Sequence, residues 1–360
     1  MIKVTENLKS FIGDITGLNV KVPSYYRTDS DNKWADLYVL FKDNILTIGG
    51  GGVDAIMFHR VETEGKTDDF EFSVDKKRFF EAVKFYGKDF TIQNEDNQYL
   101  RLTKNSKAVR LIPSSPHPVI KSLIHKSLDY IDKKSEERLR IKKEEFAIAR
   151  NFTSEDRIRE SLLNVCLRKG HMYGTDGHVL CSLAIEDCPK EDLIITQYSP
   201  IDFDYDTYLH ELDNFFVFSN ENTVIFQNKI ASKFPDVERI IEHLDGKKIS
   251  FKRKDALYAL RFLAGMGKGG ADIIIKGETA KVTFCDIYGQ GISDQAGDVL
   301  KITNQSSIET KLRFNLQYLI DVVKSITVDT VKLYIPEKYG GPCYVKEKNN
   351  IYVIMPVAYE

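Results

Sequence analysis

Two stretches, FEFSVDKKRFFEAVKFYGKDFTI at residues 70–92 and LRFNLQYLIDVVKSITVDTVKLYI at residues 312–335, follow one plan. Each opens on a short alternating strand, with Phe70, Phe72 and Val74 in one and Leu312, Phe314 and Leu316 in the other. An amphipathic helix follows, with apolar residues at helical spacing, and then a second strand. Both continue through a polar turn and a further strand to an apolar-Pro step, RLIP at Pro113 and VIMP at Pro356.

The middle of the chain repeats the plan more loosely. DYDTYLHELD predicts a helix, FFVFSN and TVIFQN predict strands, and the unit closes on KFPD at Pro235. The three prolines stand at nearly equal intervals of about 120 residues, a common domain size. The front halves agree as well. TENLKSFIGDIT, KKEEFAIARNFT and KRKDALYALRFLAGM each predict a helix, followed by a strand, turn and strand in LYVLFKDNILTIG, LLNVCLRKGHMYG and ADIIIKGETAKVTFC. The expectation is an α+β chain of three tandem similar domains at 1–125, 126–247 and 248–360. Each has two helices packed on antiparallel sheets, with seams near 120–140 and 245–251. The first seam, KSLDYIDKKSEERLR, is charged and irregular, as a linker should be.

Composition narrows the function. The 360 residues are 42% hydrophobic and 29% charged, with ten prolines, so the chain is built to fold. No apolar run is long enough for a bilayer, and MIKVTENLKSF lacks a signal-peptide core. Cys166, Cys181, Cys188, Cys285 and Cys343 form no CxxC pair, so they read as reduced thiols of a cytoplasmic protein, with no metal expected. A net charge of −2 excludes a polycation but hides clusters. Lys76, Lys77, Arg78 and Lys84 fall on the second helix of unit one. Lys142, Lys143 and Arg150 fall on the first helix of unit two, and Lys252, Arg253, Lys254 and Arg261 on the first of unit three. One such helix is an ordinary solvated face; recurrence across three repeats points to a surface for a polyanion.

No catalytic set emerges. TDGH at 175–178 pairs Asp176 with His178, but nothing supplies a nucleophile, and Asp-Gly is a common tight-turn dipeptide. GGGGVDA at 49–55 fits a dinucleotide fingerprint by letter, yet IMFHRVETE continues as a strand where that fingerprint needs a helix, so a glycine-rich turn is expected. GMGKGGAD at 265–272 lacks the Gly-Lys-Ser/Thr ending of a phosphate loop and reads as a helix C-cap and turn. No cofactor is expected. The end of the chain, IYVIMPVAYE at 351–360, is apolar on both faces: either a last strand pinned in a sheet or part of a receiving surface.

Taken in order, ARNFTSEDRIRESL, YGTDGHVL, KFPDVERII, RFNLQYLIDVVKSI and the terminal YVIMPV resemble the bacterial sliding clamp family, the beta subunits of the replicative DNA polymerase. The resemblance spans the whole chain and is clearest after about residue 140. It implies the DNA-clamp fold: a head-to-tail homodimeric ring of six domains around duplex DNA, helices inside and sheets outside, with no catalysis. It implies sequence-independent contact with double-stranded DNA, an ATP-dependent clamp loader, and tethering of the DNA polymerase catalytic subunit and other proteins that carry a clamp-binding motif. No membrane is involved.

Carried over residue by residue, the resemblance places a peptide pocket between the second and third domains. One wall would be Val353, Met355, Pro356 and Val357 with Pro342. The other would be Leu162, then Thr175, Gly177, His178 and Leu180, with Pro235, Arg239 and Ile240. The DNA path would use Lys77, Arg78, Lys142, Arg150, Lys252, Arg253 and Lys254. The ring joint would set the edge strand at Lys107 and Val109 against Phe262 and Leu263 of a second chain. The family's usual Arg after DGH is Val179 here, and Ala358 replaces the Arg after the Met-Pro step. Lys107 stands where an apolar contact is usual, and IDFDYDTYLHELD is acidic where basic residues would be expected. Two other readings stay open on the residues alone: a clamp-like decoy or binding module, and an enzyme using Asp176 and His178.

Overall fold

A computed structural model describes residues 1–8, 11, 36–52, 55–114, 117–131, 133–135, 138–156, 158–189, 191–196, 207–287, 296–338 and 340–358. The chain is α+β and gathers into two compact units, residues 1–143 with 198–231 and residues 144–197 with 232–360. These units divide the chain differently from the three repeats, because each long sheet takes strands from two repeats. The helix expected in TENLKSFIGDIT falls almost wholly outside the described residues.

In the first unit a nine-stranded sheet runs, in spatial order, through Pro113–Ser114, Phe70–Asp75, Asp36–Lys42, Ile45–Gly51, Ala55–Val61, Thr223–Asn228, Phe215–Ser219, Thr207–Glu211 and Arg138–Leu139. A five-stranded sheet ends on the edge strand Lys107–Leu111. Helix α1 (Lys76–Tyr86) buries Phe79, Phe80, Val83 and Tyr86. Asp75 caps its start by accepting from Arg78 N at 2.7 Å. Helix α2 (Pro118–Ser127) presses Ile120, Leu123 and Ile124 onto Tyr38, Phe58, Val224 and Phe226.

Three expectations are corrected here. The stretch around 120–140 begins as helix α2, not as linker: Pro118 sits in the first turn, where a missing N–H costs nothing, and His117 accepts from Val119 N. The predicted helix in DYDTYLHELD is strand over Thr207–Glu211, paired with Phe215–Ser219. Its spacing of Tyr208, Leu209 and Leu212 suits either period, but Asp213-Asn214 makes a hairpin and the sheet wins. The rest of that acidic stretch, 201–206, lies outside the described residues. The glycine run is strand through Gly51, because Phe58 lies across Gly49 where a Cβ would stand 2.0 Å from its ring.

In the second unit twelve strands form one sheet in the order Leu193–Thr196, Asn164–Arg168, His171–Thr175, Val179–Ala184, Asn350–Ile354, Cys343–Glu347, Thr330–Ile335, Lys247–Lys252, Gly297–Thr303, Thr279–Cys285, Gly270–Lys276 and Thr310–Asn315. The seam expected at 245–251 thus carries a central strand. Helix α3 (Lys143–Asn151), the short helix α4 (Glu238–Glu242), α5 (Arg253–Ala264) and α6 (Leu316–Ser325) complete the unit. Asn315 caps α6 by accepting from Gln317 N, as Asp75 does for α1, so the paired repeats share their caps as well as their pattern. No helix among the described residues is long and apolar enough to cross a membrane.

Helix α3 meets the sheet at Gly174, where a Cβ would stand 2.0 Å from the backbone carbonyl oxygen of Ala149. A backbone atom cannot swing aside as a side chain can. Gly174→Ala should therefore displace the helix and cost about 2–3 kcal/mol of stability, read as a lower urea midpoint with an unchanged far-ultraviolet dichroism spectrum.

Candidate partner-docking site

The site begins with a turn. Between two strands, Thr175 and Asp176 fold the backbone onto itself: Asp176 Oδ1 accepts from His178 N at 2.8 Å and from Val179 N at 2.9 Å. Thr175 Oγ1 donates to Val179 O at 2.7 Å and accepts from Gly177 N. The Asp176 carboxylate is engaged with backbone and does not orient His178, whose side chain is exposed. This arrangement carries the turn, not acid–base chemistry.

The last strand lies against the strand leaving the turn, with Leu180 opposite Val353 and Val179 opposite Ile354. Cys181, Tyr352 and Ile354 point to the helix side, where the Tyr352 ring packs at a tilt against Phe152, centres 5.9 Å apart, and its hydroxyl donates to Ser325 O. Leu180 and Val353 point to the other face and join Cys166, Tyr173, Phe234 and Val237 in one buried cluster. Beyond Ile354 the chain keeps backbone anchors: Met355 N donates to His178 O at 2.8 Å and Val357 N to Arg313 O at 2.7 Å. Met355, Pro356 and Val357 are half-buried, as are Pro235 and Pro342, while Gly177, Arg239 and Ile240 are exposed.

All thirteen residues assigned to the pocket thus belong to the second unit, but their roles separate. Val353, Leu180, Thr175 and Leu162 are buried and form the floor, while the half-buried tail, His178 and α4 offer the accessible surface. One rim residue escaped the sequence reading. Arg159 Nη1 stands 3.3 Å from the position of a Cβ on Gly177, and Leu162 Cδ1 3.7 Å from it. Its spacing of three residues from Leu162 was the available signal.

The basic residues divide similarly. Lys77 and Arg78 are exposed on α1, Lys142 and Arg150 at the two ends of α3, and Lys252 and Lys254 at the start of α5. Arg253 is not a free surface cation: its guanidinium donates to Val323 O at 3.0 Å and Lys324 O at 2.9 Å, closing the end of α6. Lys76 points inward and is buried. Of the residues assigned to the ring joint, Lys107 and Val109 lie on the edge strand, with Lys107 Nζ 4.5 Å from the centre of the exposed Phe85 ring. Phe262 is half exposed at 51%, but Leu263 is fully buried and cannot meet a second chain; Tyr258, one turn before Phe262, faces outward instead.

No family model matches the sequence. The beta sliding clamp of Rickettsia bellii is 27% identical over 155 residues, 38% of this chain and 39% of that protein. The chain therefore spans about two fifths of the length of this curated relative. The beta sliding clamp of Chlamydia pneumoniae is 21% identical over 79% of this chain and 80% of its own length. The DNA polymerase III beta subunit of Thermotoga maritima superposes over 100% of both chains with a TM-score of 0.77 at 15% identity. The Helicobacter pylori beta clamp bound to a DNA ligase peptide covers 99% of this chain and 100% of its own, with a TM-score of 0.75 at 12% identity. This chain has the fold of the DNA polymerase III beta subunits. Within that clamp fold, the turn, the anchored tail and α4 converge in one unit, where the resemblance implied a pocket.

Lys76 gives this fold a pH dependence. Burial holds its ammonium down to about 8 from the ordinary 10.5, with Asp36 opposing the shift. Between those two pH values the unfolded chain binds more protons than the folded one, so stability rises from about pH 8 to about pH 10.5. Lys76→Met should stabilise the protein at pH 7, by an order of 2–3 kcal/mol, and flatten that rise. Thermal melts from pH 7 to 10.5 check both.

Proposed function

We propose that this chain is a DNA sliding clamp, a non-catalytic processivity factor acting in the cytoplasm. The observation that carries the reading is the convergence of the anchored tail, the Thr175–His178 turn and α4 on one partly exposed apolar surface, in a chain with the clamp fold. The three repeats are three clamp domains, and two chains pair head to tail into a ring. Lys107 and Val109 of one chain face Tyr258 and Phe262 of the next. The ring is placed on double-stranded DNA by an ATP-dependent loader. Its docking surface receives short peptides from the DNA polymerase catalytic subunit and other partners, as the Helicobacter pylori clamp receives a DNA ligase peptide.

The physics of such a device suits this chain. A closed ring holds DNA by topology, so weak, screened contacts suffice and a net charge of −2 is no obstacle. Exposed lysines and arginines on α1, α3 and α5 supply those contacts. A docked peptide gains through effective concentration at the primer end, not through tight binding.

The test is retention. Loaded by a clamp loader, the protein should stay on nicked circular DNA and run off linearised DNA, and it should sediment near twice 41.3 kDa. Equal loss from both DNAs sinks the ring. Lys77→Glu with Arg78→Glu should weaken low-salt DNA binding and flatten its log–log salt dependence by about two units, one for each phosphate contact. At the docking surface, Met355→Ala should weaken a fluorescein-labelled clamp-binding peptide of the DNA polymerase by about thirtyfold, or about 2 kcal/mol. His178→Ala should impair the same peptide and leave DNA binding alone. If Met355 is plain core, its loss lowers the melting temperature and leaves peptide affinity unchanged.

A further inference from the structure

We infer that an ion-pair network centred on the largely buried Arg168–Glu238 pair positions α4, so that peptide affinity depends on charged residues which never touch the peptide. The inference rests on the docking surface proposed above. Helix α4 is five residues long, far below the length at which a helix holds itself in water, and none of its residues is buried. Its N-cap residue, Val237, makes no side-chain cap bond, and only the long contact of Asp236 Oδ1, accepting from Arg239 N at 3.4 Å, reaches its first turn. Something outside the helix must fix it. Phe234 and Val237, just before it, enter the cluster beneath the turn, and Ile241 on the helix and Leu244 just after it pack against the same cluster. Apolar contacts are non-directional, so they seat the helix without fixing its rotation closely.

Glu238 adds the directional contact. Arg168 rises from the face of the sheet that carries Cys166 and Tyr173, opposite His171, and its Nη1 donates to Glu238 Oε2 at 3.1 Å. Arg168 Nε lies 2.8 Å from Asp192 Oδ2 as an ion contact, and Lys169 Nζ approaches Glu238 Oε1 at 3.9 Å. The Arg168 and Glu238 side chains are only 11% and 17% exposed, so water screens their pairing weakly; Lys169, at 76%, adds little. Successive helical residues lie about 100° apart around the axis. With Glu238 held to the sheet, Arg239 and Ile240 are turned off that contact into the exposed positions they occupy. Asp192 completes the balance: two cations face two anions, and the guanidinium is held from both sides. Arg168, Asp192 and Glu238 are positioning residues for the docking surface.

The test compares Glu238→Gln, Arg168→Met, Arg168→Lys and the double variant Arg168→Met with Glu238→Gln. The control is Glu347→Gln, which cuts a different buried carboxylate that accepts from Thr327 N, Thr327 Oγ1 and Val328 N. The probes are the labelled polymerase peptide and griselimycin, a ligand of the Pseudomonas aeruginosa clamp. Each single loss of charge should weaken peptide binding about tenfold, the double no further than the worse single, and Arg168→Lys should restore part. Amide exchange at Ile240 and Ile241, whose N–H groups donate to Val237 O, should quicken in the same variants. Glu347→Gln should lower the melting temperature and leave affinity alone. A parent that binds peptide as tightly as Glu238→Gln does, or unchanged exchange in α4, overturns the positioning role. A parent that binds neither probe removes the docking surface itself, and this inference with it.

Discussion

Each long sheet depends on one kind of strand pairing, in which the last strand of a repeat lies antiparallel to a strand of the repeat before it. In the second unit Val179–Ala184 takes Asn350–Ile354 as its neighbour; in the first, Ala55–Val61 takes Thr223–Asn228. Side chains alternate along a strand, so a slip of one residue would exchange the two faces. The observed register sends Leu180 and Val353 outward and Cys181 and Tyr352 toward the helices. The outward pair joins the cluster beneath the proposed docking surface, and the inward pair becomes core. Val179 follows from the same register: buried opposite Ile354, it cannot serve as an exposed contact at the end of DGH.

Periodicity made most elements legible before any coordinates. The strand–helix–strand units at 70–95 and 310–335 and the strand–turn–strand units after α3 and α5 all stand where alternation and helical spacing put them. Failures came where local chemistry admits two answers. Thr207–Glu211 carries apolar residues at spacings that satisfy either period, and only the neighbouring strand decides. The seam expected near 120 falls on a helix: Pro118 stands in a first turn, where proline is compatible with one. The direction of a single side chain was least legible. Arg253 and Lys254 are adjacent in sequence, yet one closes the end of α6 and the other reaches solvent. The same holds for Phe262 and Leu263, one exposed and one buried, because α5 turns about 100° between them.

The residues of the proposed docking surface fall in one unit, but how that surface is held was not legible. Short motifs named its residues, whereas Arg168 and Glu238, seventy positions apart, show their relation only when folding brings them together. A buried ion pair is a poor source of stability, since desolvation offsets much of its attraction. In the proposed role its value is directional: it fixes a rotation that the non-directional contacts of Ile241 and Leu244 hold only loosely. Arg159 is a milder case: its spacing from Leu162 hinted at it, but only the neighbouring turn shows where it reaches.

The tail of the chain joins these levels. Thr310–Asn315 is the strand at the far edge of the same sheet, yet Val357 N donates to Arg313 O. The sheet therefore curves so that the chain leaving its fifth strand reaches the strand at its far edge. Arg313 is itself held by Asp272 at 2.7 and 3.1 Å. A tail anchored at both Met355 and Val357 has already lost its backbone freedom on folding, so that entropy is not charged again when a partner binds. What remains adaptable is the Met355 side chain, an unbranched thioether that repacks at little cost. A fixed backbone carrying one pliant side chain can accept several different peptides with the same few atoms, which suits the proposed docking surface.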